Sequence, residues 1–215
     1  PVSFGDLLGK GRDLPGMLSN PLTLRPGICD PRANEVCRGE EMQLAGAIAL
    51  TDACTFAAVG THSKWMTIDR QQQRVTGLRT LMTGELYHLV LNHSVVGKGL
   101  PPQVTSASAF SEGVAVAQSV EAGQGELVSE LFRCRGRYIL GDLDPASAAS
   151  WRSGLLIGHE ILRGHPGNAR VCFIGSRALL PLYQQACEQI GLPCSTLEAE
   201  TALIAGLNEV FRHDG

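Results

Sequence analysis

The chain has 215 residues, of which 44% are apolar and 18% charged, enough to bury a sizeable core and too rich in apolar residues for a disordered segment or a small disulfide-stapled scaffold. Its 18 Lys and Arg against 21 Asp and Glu leave a net charge of −3 with no basic run beyond a scattered pair, so the electrostatic footprint of a nucleic-acid binder is missing. The longest apolar stretches, such as 44–50, fall far short of the roughly 20 residues that cross a bilayer.

The start, Pro1-Val2-Ser3-Phe4-Gly5-Asp6, shows neither a basic n-region nor an apolar h-region, and a cytoplasmic protein is the expectation. It also lacks an initiator Met. Seven cysteines, at 29, 37, 54, 134, 172, 187 and 194, include no pair at the two-to-four-residue spacing of a zinc knuckle. They read as reduced thiols, with Cys172 a small core residue inside Val171-Cys172-Phe173-Ile174. His88 and His93 are five apart rather than four, and the other histidines are scattered, so no histidine-bound metal is expected.

Residues 1–38 hold five of the eleven prolines (Pro1, Pro15, Pro21, Pro26, Pro31) and read as irregular. From Gly39 the character changes. Glu40–Leu50 has no proline and is rich in Ala, Leu, Glu and Gln, which predicts a helix with Leu44, Ala47 and Ile48 on one face. Three runs with strand character follow, 54–59, 64–69 and 74–81, an expected antiparallel meander whose first two members are joined by Gly60-Thr61-His62-Ser63. Helices are predicted over 84–95, 105–119, 125–134 and 146–163, with Gly97-Lys98-Gly99-Leu100-Pro101-Pro102 as a breaker. The end alternates strand 169–174, helix 178–191, strand 193–197 and helix 200–211, a pattern that implies parallel pairing.

Three segments could carry chemistry. Arg38-Gly39-Glu40-Glu41 opens a helix, where carboxylates are favoured by the helix dipole and where one of them could also take a proton from a substrate hydroxyl. Gly60-Thr61-His62-Ser63-Lys64-Trp65 is either a plain hairpin turn or a tip that offers amides and hydroxyls to phosphate oxygens; it is no P-loop, because Gly-Lys-Ser/Thr is absent. Phe173-Ile174-Gly175-Ser176-Arg177 is a strand passing straight into a helix, which is ordinary in α/β folds and is also where their ligands collect. Gly154 and Gly158, spaced i and i+4, read as a site of close helix packing.

The order of these segments resembles the actin-like ATPase/sugar-kinase superfamily. Arg38-Gly39-Glu40-Glu41, Gly60-Thr61-His62-Ser63-Lys64-Trp65, Arg79-Thr80-Leu81-Met82-Thr83-Gly84-Glu85-Leu86, Leu91-Asn92-His93-Ser94 and Gly99-Leu100-Pro101-Pro102 together are similar to the 2-dehydro-3-deoxygalactonokinase family, from about residue 26 to about 208. The resemblance implies an α/β fold of the ribonuclease H-like (actin-like ATPase) type, with a mixed sheet and helices on both faces. It implies transfer of the ATP γ-phosphate to the 6-hydroxyl of 2-dehydro-3-deoxy-D-galactonate, a step of galactonate breakdown, with ATP and Mg²⁺ as cofactors.

Carried over by position, Glu40, or else Glu41, is the base, although related sugar kinases place an aspartate there. Gly60, Thr61 and Lys64 would face the β- and γ-phosphates; Gly175 and Ser176 would lie under the adenosine, with Arg177 and Leu179 beside it. Arg79, Thr80 and Glu85 would line the substrate cleft, where Arg79 could hold the substrate carboxylate or pair with Glu85. No protein metal ligand is assigned; the expected partners are a sugar acid and ATP, neither nucleic acid nor membrane, with a homo-oligomer possible. The family's Asp-x-Gly-Ser/Thr loop is not found in these residues. The expectation is therefore a remnant of an N-terminal sugar-binding domain over 1–38, that domain being largely missing, and a C-terminal nucleotide-binding domain over 39–215. A phosphohydrolase of the same superfamily and a non-catalytic nucleotide- or sugar-binding domain are the alternatives.

Overall fold

The computed structural model describes residues 2–7, 11–14, 22–24, 27–165, 167 and 169–214. In chain order they form β1 (Val2–Ser3), α1 (Phe4–Leu7), β2 (Arg12–Leu14), β3 (Leu22–Leu24), β4 (Ile28–Asp30), β5 (Glu35–Cys37) and α2 (Glu40–Leu50). The meander β6 (Thr55–Ala58), β7 (Ser63–Asp69) and β8 (Arg74–Leu81) follows, and then α3 (Thr83–His93), α4 (Ala107–Glu121) and α5 (Leu127–Leu140). A 3-10 turn, Pro145–Ser147, leads into α6 (Ala148–Gly164), and the chain ends in β9 (Val171–Gly175), α7 (Leu180–Ile190), β10 (Cys194–Glu198) and α8 (Ala199–Asp214).

Six strands make one mixed sheet in the order β1-β8-β7-β6-β9-β10. β6, β7 and β8 pair antiparallel, as the hairpin spacing predicts. β9 lies parallel to both β6 and β10, as the strand–helix–strand pattern implies. Period-two alternation sorts the side chains. Phe56, Ala58, Met66, Ile68, Cys172 and Ile174 point to one face and pack with Leu44, Ala47 and Ala202 of α2 and α8. Ala57, Val59, Trp65, Val171 and Phe173 point to the other, against Phe110, Val114, Ile157, Ile161 and Tyr183 of α4, α6 and α7. Helices therefore cover both faces. A third cluster, around Trp151, Leu155, Ala117 and Cys134, fills the space between α4, α5 and α6.

Gly154 acts as expected. A Cβ at Gly154 would overlap the carbonyl of Phe110, and one at Gly113 the carbonyl of Trp151, so α4 and α6 touch backbone to backbone.

The first 38 residues depart from the irregular segment expected. β1 joins the main sheet against β8, with Val2 opposite Val75, while β2–β3 and β4–β5 form two short antiparallel ribbons. Strands of two or three residues are too short to show a period, and the partner of β1 lies some seventy residues further along the chain. α5 outruns its predicted end near 134 because Gly136 sits in open space on the helix and breaks nothing; the stop is Gly141, in the left-handed region at φ 89°. Among the described residues no helix is long and apolar enough to cross a membrane.

Candidate active site

The carboxyl ends of β6 and β9 lie side by side, and ligands of open α/β sheets collect at such edges. Four turns converge there: the β6–β7 tip, the β9–α7 turn, and the first turns of α2 and α3. Between them run two adjoining cavities that share Gly60, Thr61 and Ser176. The larger, about 460 Å³, is walled by Tyr87, Leu156, Ile157, Leu179, Leu182 and Tyr183, with Thr83, Gly84 and Ser153 supplying polar edges. The smaller, about 300 Å³, is bounded by Glu40, Gln43, His62, Gly175 and Ala199. One trough thus leads from an apolar chamber, past a Gly-Thr tip and a Gly-Ser turn, to a carboxylate.

The tip is held from two sides. Thr61 O accepts from Glu85 N at 3.0 Å, and Gly84 rests so close to Gly60 and Thr61 that a Cβ there would meet Gly60 O. From beneath, Glu160 of α6, 1% exposed, accepts from Ser63 Oγ at 3.1 Å, Trp65 Nε1 at 3.0 Å and Tyr183 OH at 2.8 Å, and also from Thr83. Burial pushes this carboxyl above the usual range while the four donors pull it back. Tyr183 in turn is pushed well up by its own burial and then by the Glu160 charge. Sequence reasoning missed Glu160; its signal is a charged residue amid the apolar run of α6.

The two acidic candidates separate. Glu40 lines the trough, and its carboxylate accepts from Arg38 N at 3.2 Å. Glu41 is buried, accepts from Gly39 N at 2.5 Å, and has its carboxyl pushed up chiefly by burial. Cys37, at the end of β5, donates its thiol to Glu40 at 3.4 Å and lies 3.9 Å from Glu41; burial and the two carboxylates push that thiol far above the ordinary range. Cys37, Glu40 and Glu41 are close enough together to share an ion. A set holding a thiol and a buried, already bonded carboxylate does not suit Mg²⁺, which takes hard oxygen ligands in an octahedron.

Gly60, Thr61 and Ser176 border both cavities, Leu179 lines the larger, and Gly175, expected under the adenosine, lines the smaller one with Glu40. Lys64 lines neither. This residue is 8% exposed, and its ammonium donates to Val36 O at 2.8 Å and Thr80 Oγ1 at 2.9 Å. Alternation explains the turn: Lys64 shares its side of β7 with Met66, and Trp65 takes the other. Arg177 points outward, its side chain 84% exposed and paired with Glu198 at 2.7 Å.

Arg79, Thr80 and Glu85 are not brought together. Arg79 donates to Arg163 O at 2.6 Å; Thr80 N and Oγ1 donate to Glu35 at 2.9 and 2.5 Å; Glu85 meets His62 Nε2 at 2.5 Å. The Arg79–Glu85 pair considered from sequence is thus replaced by His62–Glu85. Arg79 and Thr80, adjacent on a strand, necessarily point to opposite faces.

The profile of the 2-keto-3-deoxy-galactonokinase family matches residues 1–210. The chain is 38% identical over 191 residues to the 2-dehydro-3-deoxygalactonokinase of Escherichia coli (strain K12), covering 86% of this chain and 63% of that protein. It is 32% identical over 222 residues to a Rhizobium meliloti (strain 1021) protein named "Probable 2-dehydro-3-deoxygalactonokinase DgoK1", covering 99% of this chain and 71% of that one. A crystallised Sinorhizobium meliloti protein, provisionally described as a 2-dehydro-3-deoxygalactonokinase, superposes with a TM-score of 0.85 at 30% identity over 99% of this chain and 72% of its own. The chain spans less than two thirds of the E. coli relative's length. By the profile match and the sequence identity together, the chain belongs to the 2-keto-3-deoxy-galactonokinase family.

Proposed function

We propose that this chain carries the nucleotide site and the catalytic base of an ATP-dependent sugar-acid kinase that phosphorylates the 6-hydroxyl of 2-dehydro-3-deoxy-D-galactonate. The observation that carries the reading is the continuous trough with an apolar chamber at one end and Glu40 at the other. Its apolar chamber suits a nucleoside by its lining: the side chains of Leu156, Leu179 and Leu182 offer apolar contact to the base, with hydroxyls of Thr83 and Ser153 at the edge. The phosphates then pass the Gly60–Thr61 tip and Ser176, where backbone amides and hydroxyls meet their oxygens. Their terminal phosphorus comes to rest beside Glu40.

In this reading the sugar hydroxyl attacks the γ-phosphorus while Glu40 takes its proton, and ADP leaves along the trough. Most of the rate comes from alignment and charge stabilisation, with proton removal a smaller contribution. Mg²⁺ when bound to the nucleotide neutralises phosphate charge. Lys64 and Arg177, engaged at Val36 and Glu198, are set aside as phosphate contacts. The strand order β8-β7-β6-β9-β10, with β7 alone reversed, supports a ribonuclease H-like, actin-type domain.

A coupled assay with ATP and 2-dehydro-3-deoxy-D-galactonate, run beside calorimetric titration with ADP, tests the reading. Sugar-acid-dependent ADP release supports it. ATP hydrolysis indifferent to the sugar acid points to the phosphohydrolase alternative, and nucleotide binding without turnover to a binding domain.

A further inference from the structure

Transfer of a phosphoryl group concentrates negative charge on its equatorial oxygens, and a site that speeds the transfer places positive charge or strong donors there. Lys64, the residue expected to do this, is turned into the interior, and Arg177 is turned outward. Of the described residues that line the two chambers, Glu40 is the carboxylate and His62 the one side chain able to carry positive charge. His62 sits at the apex of the tip, next to Thr61, with half of its side chain exposed.

The ring is not free to wander. Nε2 lies 2.5 Å from Glu85 Oε2, and Glu85 is locked to the same tip by its backbone N–H on Thr61 O at 3.0 Å. With Nε2–H committed to Glu85, the ring's other nitrogen, Nδ1, has no hydrogen-bond partner among the described residues. It can donate to a phosphate oxygen only as the imidazolium. This is the orientation logic by which a carboxylate behind one nitrogen of a histidine readies the other.

Resting on the kinase reading, we propose that His62 is the phosphate-contacting cation of the trough and that Glu85 is its positioning residue. Glu85 was expected to touch the sugar acid; here its task is to hold His62. The charged groups facing the ring are Glu85 from α3 and Glu40 from α2, while the β9–α7 turn and the start of α8 present Gly175, Ser176 and Ala199.

The test is calorimetric titration of the chain with adenosine, ADP and a non-hydrolysable ATP analogue. His62→Gln is expected to weaken ADP and the ATP analogue about tenfold, the scale of one charge-assisted hydrogen bond, and to leave adenosine within about twofold. His62→Lys, which restores a cation, is expected to recover much of the loss. Glu85→Gln is expected to fall between wild type and His62→Gln for ADP. Equal loss for adenosine and ADP would assign His62 a merely structural role, and unchanged ADP affinity in His62→Gln would remove it from the phosphates; either result overturns the proposal. A wild-type chain that binds none of the three ligands overturns the kinase reading and this proposal with it.

Discussion

The Glu160 carboxylate and the Ser63 hydroxyl, 97 positions apart in the chain, meet at 3.1 Å inside the protein. Ser63 Oγ also accepts from Gly60 N at 3.5 Å, so a buried charge in the middle of α6 is one hydroxyl away from the tip of the β6–β7 hairpin. Through Trp65, Thr83 and Tyr183 the same carboxylate ties β7, α3 and α7 to that point. This one side chain braces the trough from beneath, opposite the Thr61–Glu85 contact.

Glu160→Ala is expected to lower stability by about 3 kcal/mol, since it strands buried donors that had a charged acceptor. Glu160→Gln, which keeps one carbonyl acceptor, is expected to cost less. Urea unfolding curves of the two variants against wild type check the order, and equal loss in both would contradict it.

Glu160 and Glu41 both have their carboxyls raised by burial above the ordinary value of 4.5. The folded state then holds protons that the unfolded chain has released, so stability falls as pH climbs from about 4.5 to the raised values and levels off above them. The urea midpoint of wild type should carry this downward slope, and Glu160→Gln and Glu41→Gln should each flatten it. A slope in the opposite direction, restored by neither variant, would falsify the assignment.

The glutamate pair at the head of α2 divides between the trough, which Glu40 lines, and the interior, where Glu41 is buried. Glu40→Gln is expected to lower kcat by about 10²–10⁴ while ADP affinity changes little. Glu41→Gln is expected to act on stability with kcat largely kept, because its carboxylate is spent on Gly39 N. Steady-state kinetics of both variants decide which of the two is the base.

Gly84→Ala places a methyl against Gly60 O and Thr61 Cα. The tip must move by a fraction of an ångström, and misplacement on that scale costs about 10–100-fold in kcat/KM. The expected signature is a raised KM for ATP with only a modest change in the unfolding midpoint.

Cys187, buried on α7, donates its thiol to Cys194 at the start of β10, which brings Cys194 down to about 7 and pushes Cys187 up. Alkylation of Cys194, followed by peptide mass spectrometry, should therefore titrate near neutrality. Cys187→Ala should move that profile upward, and an unmoved profile would mean the hydrogen bond plays no part.

Much of this fold was legible in the sequence because its elements are long and strongly patterned. Glu40–Leu50 and the 74–81 strand were read to the residue, and the βαβ ending followed from alternating strand and helix runs. The Gly60-Thr61 and Gly175-Ser176 segments were legible as turns, and their meeting follows from β6 and β9 being neighbours. Lys64 was misplaced although its phase was readable: it follows the tip directly, and alternation with Trp65 and Met66 already assigns it to one face of β7. His62–Glu85 and Ser63–Glu160 were out of reach, because each joins residues distant in sequence through contacts that only the folded chain creates. Glu160 left a trace nonetheless, as a carboxylate that α6 would bury and that therefore needed donors from elsewhere.

The most direct test of the central claim is a crystal structure of the chain with ADP bound. Adenosine is expected between Leu156, Leu179 and Leu182, with the β-phosphate against Gly60 and Thr61 and pointing toward Glu40. ADP bound elsewhere, or with its phosphates directed away from Glu40, would contradict it.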